Sequence, residues 1–124
     1  MSVQINQYLI FGVKKEFDWP KEWEKETGKG FYDTFDDFMD DSAFKKDIHH
    51  KDGIFCLYDR MNGKYTIIGR VIEKGSDDEP FVADGKPMCF TNPTALEYEL
   101  ISNSIERNFG IKDELKFWLV THYR

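Results

Sequence analysis

Apolar positions change their period several times along the chain, and the changes mark its elements. Gln4–Val13 (QINQYLIFGV) is a short apolar run rich in residues that suit a pleated strand. Around Asp18–Gly28 the pattern changes. Pro20 sits where a first helical turn tolerates it, Trp19 and Trp23 are four apart, and Gly28 is a natural stop, so a short helix is predicted. In FYDTFDDFMDD, residues 31–41, a wheel of about 100° per residue separates two kinds of side chain. Phe31, Phe35, Phe38 and Met39 fall on one side, and Asp33, Asp36, Asp37, Asp40 and Asp41 on the other. A strand would put Phe35 and Asp37 on one face, so a helix is the better reading. It should be short and lean on its aromatic side, because Asp is a mediocre helix former and carboxylates near a C-terminus oppose the macrodipole.

The clearest hairpin is residues 53–75 (GIFCLYDRMNGKYTIIGRVIEKG), where two β-rich runs flank Asn62-Gly63, a pair that accepts the positive φ of a tight turn. Gly75–Phe90 reads as a long acidic loop. Thr94-Ala95-Leu96-Glu97 is a capping-box pattern behind Pro93. It opens a helix with Tyr98, Ile101, Ile105 and Phe109 on one stripe, stopped by Gly110. Glu114–Arg124 (ELKFWLVTHYR) is a last, aromatic-rich strand. The order is β-α(α)-β-β-α-β. It predicts an α+β fold, a ferredoxin-like β-α-β-β-α-β sandwich with an extra short helix in the first crossover, built as one domain over residues 1–124. A different α+β order of the same elements is the rival. The fold by itself implies no function.

Composition narrows the function classes. Aromatics are 16% of 124 residues and hydrophobic residues 40%, too apolar for a disordered chain. The net charge of −6 argues against broad phosphate-backbone binding, which needs clustered Lys and Arg. Met1–Val13 lacks the basic start and apolar run of an export signal, and no segment nears the length that crosses a bilayer. A cytoplasmic protein with no membrane partner is expected. Cys56 and Cys89 should then be reduced thiols.

The candidate chemistry centres on the aspartates. Hard cations need oxygen ligands converging on one point. The spacing D-x-x-D-D-x-x-D-D instead spreads them along a helix face, without the glycine turn and bidentate Glu of a calcium loop. The ordinary reading is a solvated helix face. The unusual feature is its single sign of charge, since exposed helices usually mix signs. Such a face can steer a basic partner. Asp77 and Asp78, with Glu79 and Asp84, extend the acid into the long loop. His49-His50 by itself makes a poor two-His chelate on either a strand or a helix; with Asp47 and Asp52 nearby a metal or acid–base role is the lesser reading and a polar loop the ordinary one, and His122, on the parity of Trp118 and Val120, reads as an ordinary sheet histidine. Cys56 lies in an apolar strand, where a thiol packs rather than reacts. There is no G-x-S-x-G and no Gly-rich phosphate cradle, so neither a catalytic residue nor a cofactor is expected. The strands do carry Tyr8, Phe55, Tyr65, Phe117, Trp118 and Tyr123 with Arg60, Lys64, Arg70, Lys116 and Arg124 near them. Those rings can stack bases on an open sheet, pack a core, or pair with a second copy of the chain as a homodimer through the sheet.

The opening MSVQINQYLIFGVK, the hairpin FCLYDRMNGKYTIIGRVIEKG and the closing NFGIKDELKFWLVTHYR resemble a family of small uncharacterised proteins encoded by tailed bacteriophages. The resemblance covers both ends and the middle, while residues 14–52 are freer. It supplies no catalytic or binding residues. It implies a non-structural protein made in the cytoplasm of an infected bacterium and directed against a host factor. Together these readings predict a small acidic non-enzymatic protein that binds a basic surface of a host protein. Asp33, Asp36, Asp37, Asp40 and Asp41, joined by Asp77 and Asp78, would make the contact, as an inhibitor or nucleic-acid mimic with no direct nucleic-acid partner. The alternatives are a nucleotide- or RNA-binding sheet protein and, last, a metal-dependent enzyme.

Overall fold

Two long strands organise the molecule, β1 (Ile5–Lys15) and β3 (Thr66–Ser76), which pair antiparallel over most of their length. The structure, a computed structural model, describes residues 5–35, 38, 54–59, 64–76 and 93–123. Around the central pair lie α1 (Trp19–Thr27), α2 (Phe31–Phe35), β2 (Phe55–Tyr58), α3 (Ala95–Phe109) and β4 (Lys116–Tyr123). β2 pairs antiparallel with β3, and β4 antiparallel with β1. The described chain is therefore a mixed α+β fold: one four-stranded antiparallel sheet, in the order β2-β3-β1-β4, and three helices.

The two runs around Asn62-Gly63 form the expected hairpin, with Phe55 opposite Gly69 and Tyr58 opposite Thr66. The turn residues themselves lie outside the described part. Its base is closed by Asp59, whose carboxylate accepts the Lys64 N–H at 3.1 Å while its own N–H donates to the Tyr65 carbonyl at 3.1 Å. A buried Asp whose carboxylate accepts a backbone N–H while its own backbone N–H donates across the strand ends fixes them.

α3 starts as its pattern predicts. The Thr94 hydroxyl accepts the Glu97 N–H at 3.1 Å, and the Glu97 carboxylate accepts the Thr94 N–H at 3.4 Å. α1 and α3 both end on a left-handed glycine, Gly28 and Gly110, each at φ 73°. The last strand begins at Lys116, two residues later than its apolar pattern starts. Ile111 and Leu115 are instead drawn into the core, and the Leu115 N–H donates to the Tyr98 hydroxyl at 3.0 Å. A Lys15–Asp113 ion pair at 2.6 Å holds the same connection to the end of β1.

Alternation along the strands sends side chains to two buried clusters. Phe11, Val13, Cys56 and Ile68 point to the helical side. There they meet Ile101, Ile105 and Phe109 of α3 and Phe31, Phe35 and Phe38 from the first crossover. Tyr8, Ile10, Phe55, Leu57, Ile67 and Val71 form the second cluster, on the opposite face. That face is not open: Tyr8 is 1% exposed and Leu57 0%. The sheet's own curvature contributes to this. Tyr65 adjoins Thr66, which pairs with Lys15, whereas Thr121 pairs with Gln7, eight positions (15 − 7) along the same strand. In a flat sheet those rows are ~26 Å apart, yet the Tyr65 hydroxyl lies 3.5 Å from the Thr121 carbonyl. The sheet must coil to bring these diagonal corners together. A register shift at Leu9/Ile10, a bulge that raises local twist, lies within the central pair.

Thr66 is fully buried in this sheet, and its hydroxyl finds no partner among the described residues. A buried hydroxyl without a partner is costly. Thr66→Val keeps the branched shape and removes the polar atom, so it is expected to raise stability by about 1 kcal/mol. The check is the urea midpoint at unchanged m-value. A lower midpoint in the valine variant refutes the assignment.

Candidate functional site

The first crossover carries the sequence element with the most unusual charge, and its geometry begins with rings. Trp19 and Trp23 of α1 set their edges against Phe31, at centroid distances of 5.5 and 5.7 Å, and Trp23 also meets Phe35 at 4.9 Å. Phe35 stacks on Phe109 of α3 at 4.2 Å, and Phe38 meets the same ring edge-on at 5.2 Å. Offset and edge-to-face pairs of this kind add to the burial of ring area. They decide which way α2 faces. The start of α2 is fixed as well, because the Glu24 carboxylate accepts the Phe31 N–H at 3.2 Å. A short helix with poor intrinsic propensity is held by its neighbours rather than by itself.

With the rings turned inward, Asp33 is exposed. That is the sorting expected from the wheel: Phe31, Phe35 and Phe38 are all buried. The α-helix is described over 31–35, shorter than the 31–41 of the apolar pattern, and of the residues that follow only Phe38 is described before 54. Asp36, Asp37, Asp40 and Asp41 lie outside the described residues. So do Asp77 and Asp78, the first of which follows Ser76 at the end of β3. Asp33 is thus the member of the acidic set that the structure places. Neighbouring α1 is mixed in sign on its exposed side, with Lys21, Glu22, Lys25 and Glu26.

Other candidates resolve differently. Cys56 is a free, wholly buried thiol, and burial pushes its pKa far up, so it packs and does not act as a nucleophile. Cys89, His49 and His50 are outside the described residues. His122 stands opposite Asn6 in the β1–β4 ladder. Among the described residues no three His, Cys, Asp or Glu side chains gather in a way that could hold a metal ion. Also among them, no helix is long and apolar enough to cross a membrane.

The sheet rings that offered a base-stacking platform are mostly spent on packing. Tyr8 and Phe55 are buried in the second cluster, and Phe117 lies on the helical side, 4.7 Å from Phe11. Trp118 is half-buried. Its indole N–H donates to the Gly12 carbonyl at 3.0 Å, and the Lys14 ammonium sits 5.9 Å from its ring centroid. This arrangement was not anticipated from the sequence. The signal for it is a glycine in the middle of each central strand, Gly12 in LIFGV and Gly69 in IIGRV, which face each other across the ladder. No protein-family model, curated protein or solved structure matches the chain.

Proposed function

We propose that this chain is a small non-enzymatic binding protein that presents the acid of its first crossover to a basic surface on another protein. The contact is Asp33, Asp36, Asp37, Asp40 and Asp41, extended by Asp77 and Asp78. The observation that carries the proposal is the sorting on α2, with Phe31 and Phe35 locked in the ring stack and Asp33 held outward. The same spacing continues through residue 41 with one sign of charge. A single-sign face of this kind steers and orients a partner of opposite charge. The phage-like segments at both ends and in the hairpin give this reading its setting: an accessory protein in the cytoplasm of an infected bacterium, occupying a host surface built for nucleic acid.

The frame we infer is the split βαβ arrangement of ferredoxin-like domains. Two antiparallel pairings in a row make β1 parallel to β2 with β3 between them, and likewise make β3 parallel to β4 with β1 between them. That supports the assignment. The coiling of the sheet departs from an open sandwich. The burial of Tyr8 and Phe55 favours the protein-binding reading over a nucleotide- or RNA-binding sheet, which needs free rings. The residues behind a metal-enzyme reading, Asp41, His49 and His50, lie outside the described part.

The test is charge removal. Changing Asp33, Asp36, Asp37, Asp40 and Asp41 to Asn is expected to leave the melting temperature unchanged or slightly raised. Relief of like-charge pairs three and four apart is worth roughly 0.2–0.5 kcal/mol each. Capture of a partner from bacterial lysate should fall sharply, and capture by the unmodified protein should weaken as salt screens the field over about 8 Å. Equal capture by the variant at low salt rejects the acidic face as the site.

A further inference from the structure

α2 begins without a cap of its own. The first N–H groups of a helix have no partner inside it, and Gly30, which precedes Phe31, has no side chain to offer them. The bond comes from another helix. The Glu24 carboxylate of α1, seven residues back, accepts the Phe31 N–H at 3.2 Å. The connection between the two is tied along its length. The Gly28 N–H donates to the Glu24 carbonyl at 2.8 Å. The Thr27 hydroxyl donates to the Trp23 carbonyl at 2.8 Å and accepts the Lys29 N–H at 3.3 Å. On the far side, the Gly30 carbonyl accepts both the N–H and the hydroxyl of Thr34, at 3.1 and 2.7 Å. Glu24 is half-buried at this joint, whereas Glu22 and Glu26 of the same helix are exposed.

A second carboxylate stands at the same helix start. Asp33 is exposed, and its Oδ2 lies 3.0 Å from the point where a Cβ on Gly30 would sit. A free N–H at a helix start draws a carboxylate within reach, because a charge-assisted bond of this kind is stronger than a neutral one. We propose that Glu24 is the positioning residue of the acidic face. By occupying the Phe31 N–H it leaves the Asp33 carboxylate turned to a basic partner, and it fixes the angle at which α2 leaves α1. This rests on the acidic-face reading above and adds the residue that orients the face. The role needs an acceptor oxygen rather than a charge. A glutamine carbonyl can supply one and an alanine cannot. In the alanine variant Asp33 is drawn back towards the Phe31 N–H and away from the partner.

Calorimetric titration of the whole chain with an arginine decamer tests this, together with deuterium exchange at the Phe31 amide. Glu24→Ala and Glu24→Gln remove the same charge, and Glu26→Ala removes one from an exposed position of α1. Glu24→Gln and Glu26→Ala should bind the decamer alike. Glu24→Ala should bind it about fivefold more weakly than Glu24→Gln, and its Phe31 amide should exchange about tenfold faster. Equal affinity of the alanine and glutamine variants overturns the positioning role. It leaves the acidic face standing if changing Asp33, Asp36, Asp37, Asp40 and Asp41 to Asn still weakens binding. Binding that those Asn changes do not move overturns the acidic face and this role with it. A Phe31 amide that is unprotected in the unmodified protein overturns the proposal without recourse to any variant.

Discussion

Phe35→Ala is expected to lower the unfolding free energy by about 3–5 kcal/mol, the range for deleting a buried phenyl ring. Phe35 lies at the centre of the aromatic stack, in contact with Trp23, Phe31, Phe38 and Phe109. Its removal strips α2 of its link to α3 and leaves four rings around a void. Those rings belong to different elements, so the site cannot collapse easily, and the cost should fall at the upper end of the range. Because α2 is five residues long and has little helix stability of its own, the loss should also release its backbone. Urea melts followed by tryptophan fluorescence suit the measurement, as Trp23 is 4.9 Å from the deleted ring. Phe35→Leu should recover part of the loss. An alanine variant as stable as the parent would mean that α2 is turned the other way, with Asp33 inside.

The parts of this fold that were legible in the sequence are those set by local chemistry. The Thr94–Glu97 capping box, the Tyr98–Ile101–Ile105–Phe109 stripe and the two glycine stops depend on residues within a few positions of one another, and each occurs as expected. The pairing of β2 with β3 was legible because Asn62-Gly63 sets a turn between two β-rich runs. On the candidate site, the inward rings and outward Asp33 follow from helical periodicity alone. The coiling of the sheet was not legible, since it depends on how Tyr65 and Thr121, 56 residues apart, approach after three strands have paired. The burial of the second face was not legible either. Tyr8 and Phe55 read equally well as a stacking platform or as core until the curvature is known. Nor could the sequence distinguish the covered β2 edge from the exposed β4 edge, because both are short apolar runs.

Gly12→Ala is the second variant with a large expected effect. Gly12 and Gly69 lie opposite one another in the central ladder. A Cβ on Gly12 would fall inside the contact distance of the Ile68 carbonyl and 2.6 Å from the Gly69 Cα. A Cβ on Gly69 would similarly meet the Phe11 carbonyl and lie 2.7 Å from the Gly12 Cα. The obstacles are backbone atoms of the two strands that hold the sheet together, so no side chain can move aside. The strands themselves must separate, which also disturbs the Gly12 carbonyl that accepts the Trp118 indole N–H. Over-packing of this kind costs about 1–3 kcal/mol and more where backbone has to shift, so a loss of about 3 kcal/mol or above is expected for Gly12→Ala, with a larger one for Gly12→Val. Gly28→Ala is the matched comparison. At φ 73° it is strained, but its Cβ meets nothing within 4 Å, so it should cost only about 1–2 kcal/mol. Equilibrium urea unfolding ranks the three. If Gly12→Ala proves no worse than Gly28→Ala, the central strands do not approach as closely as described.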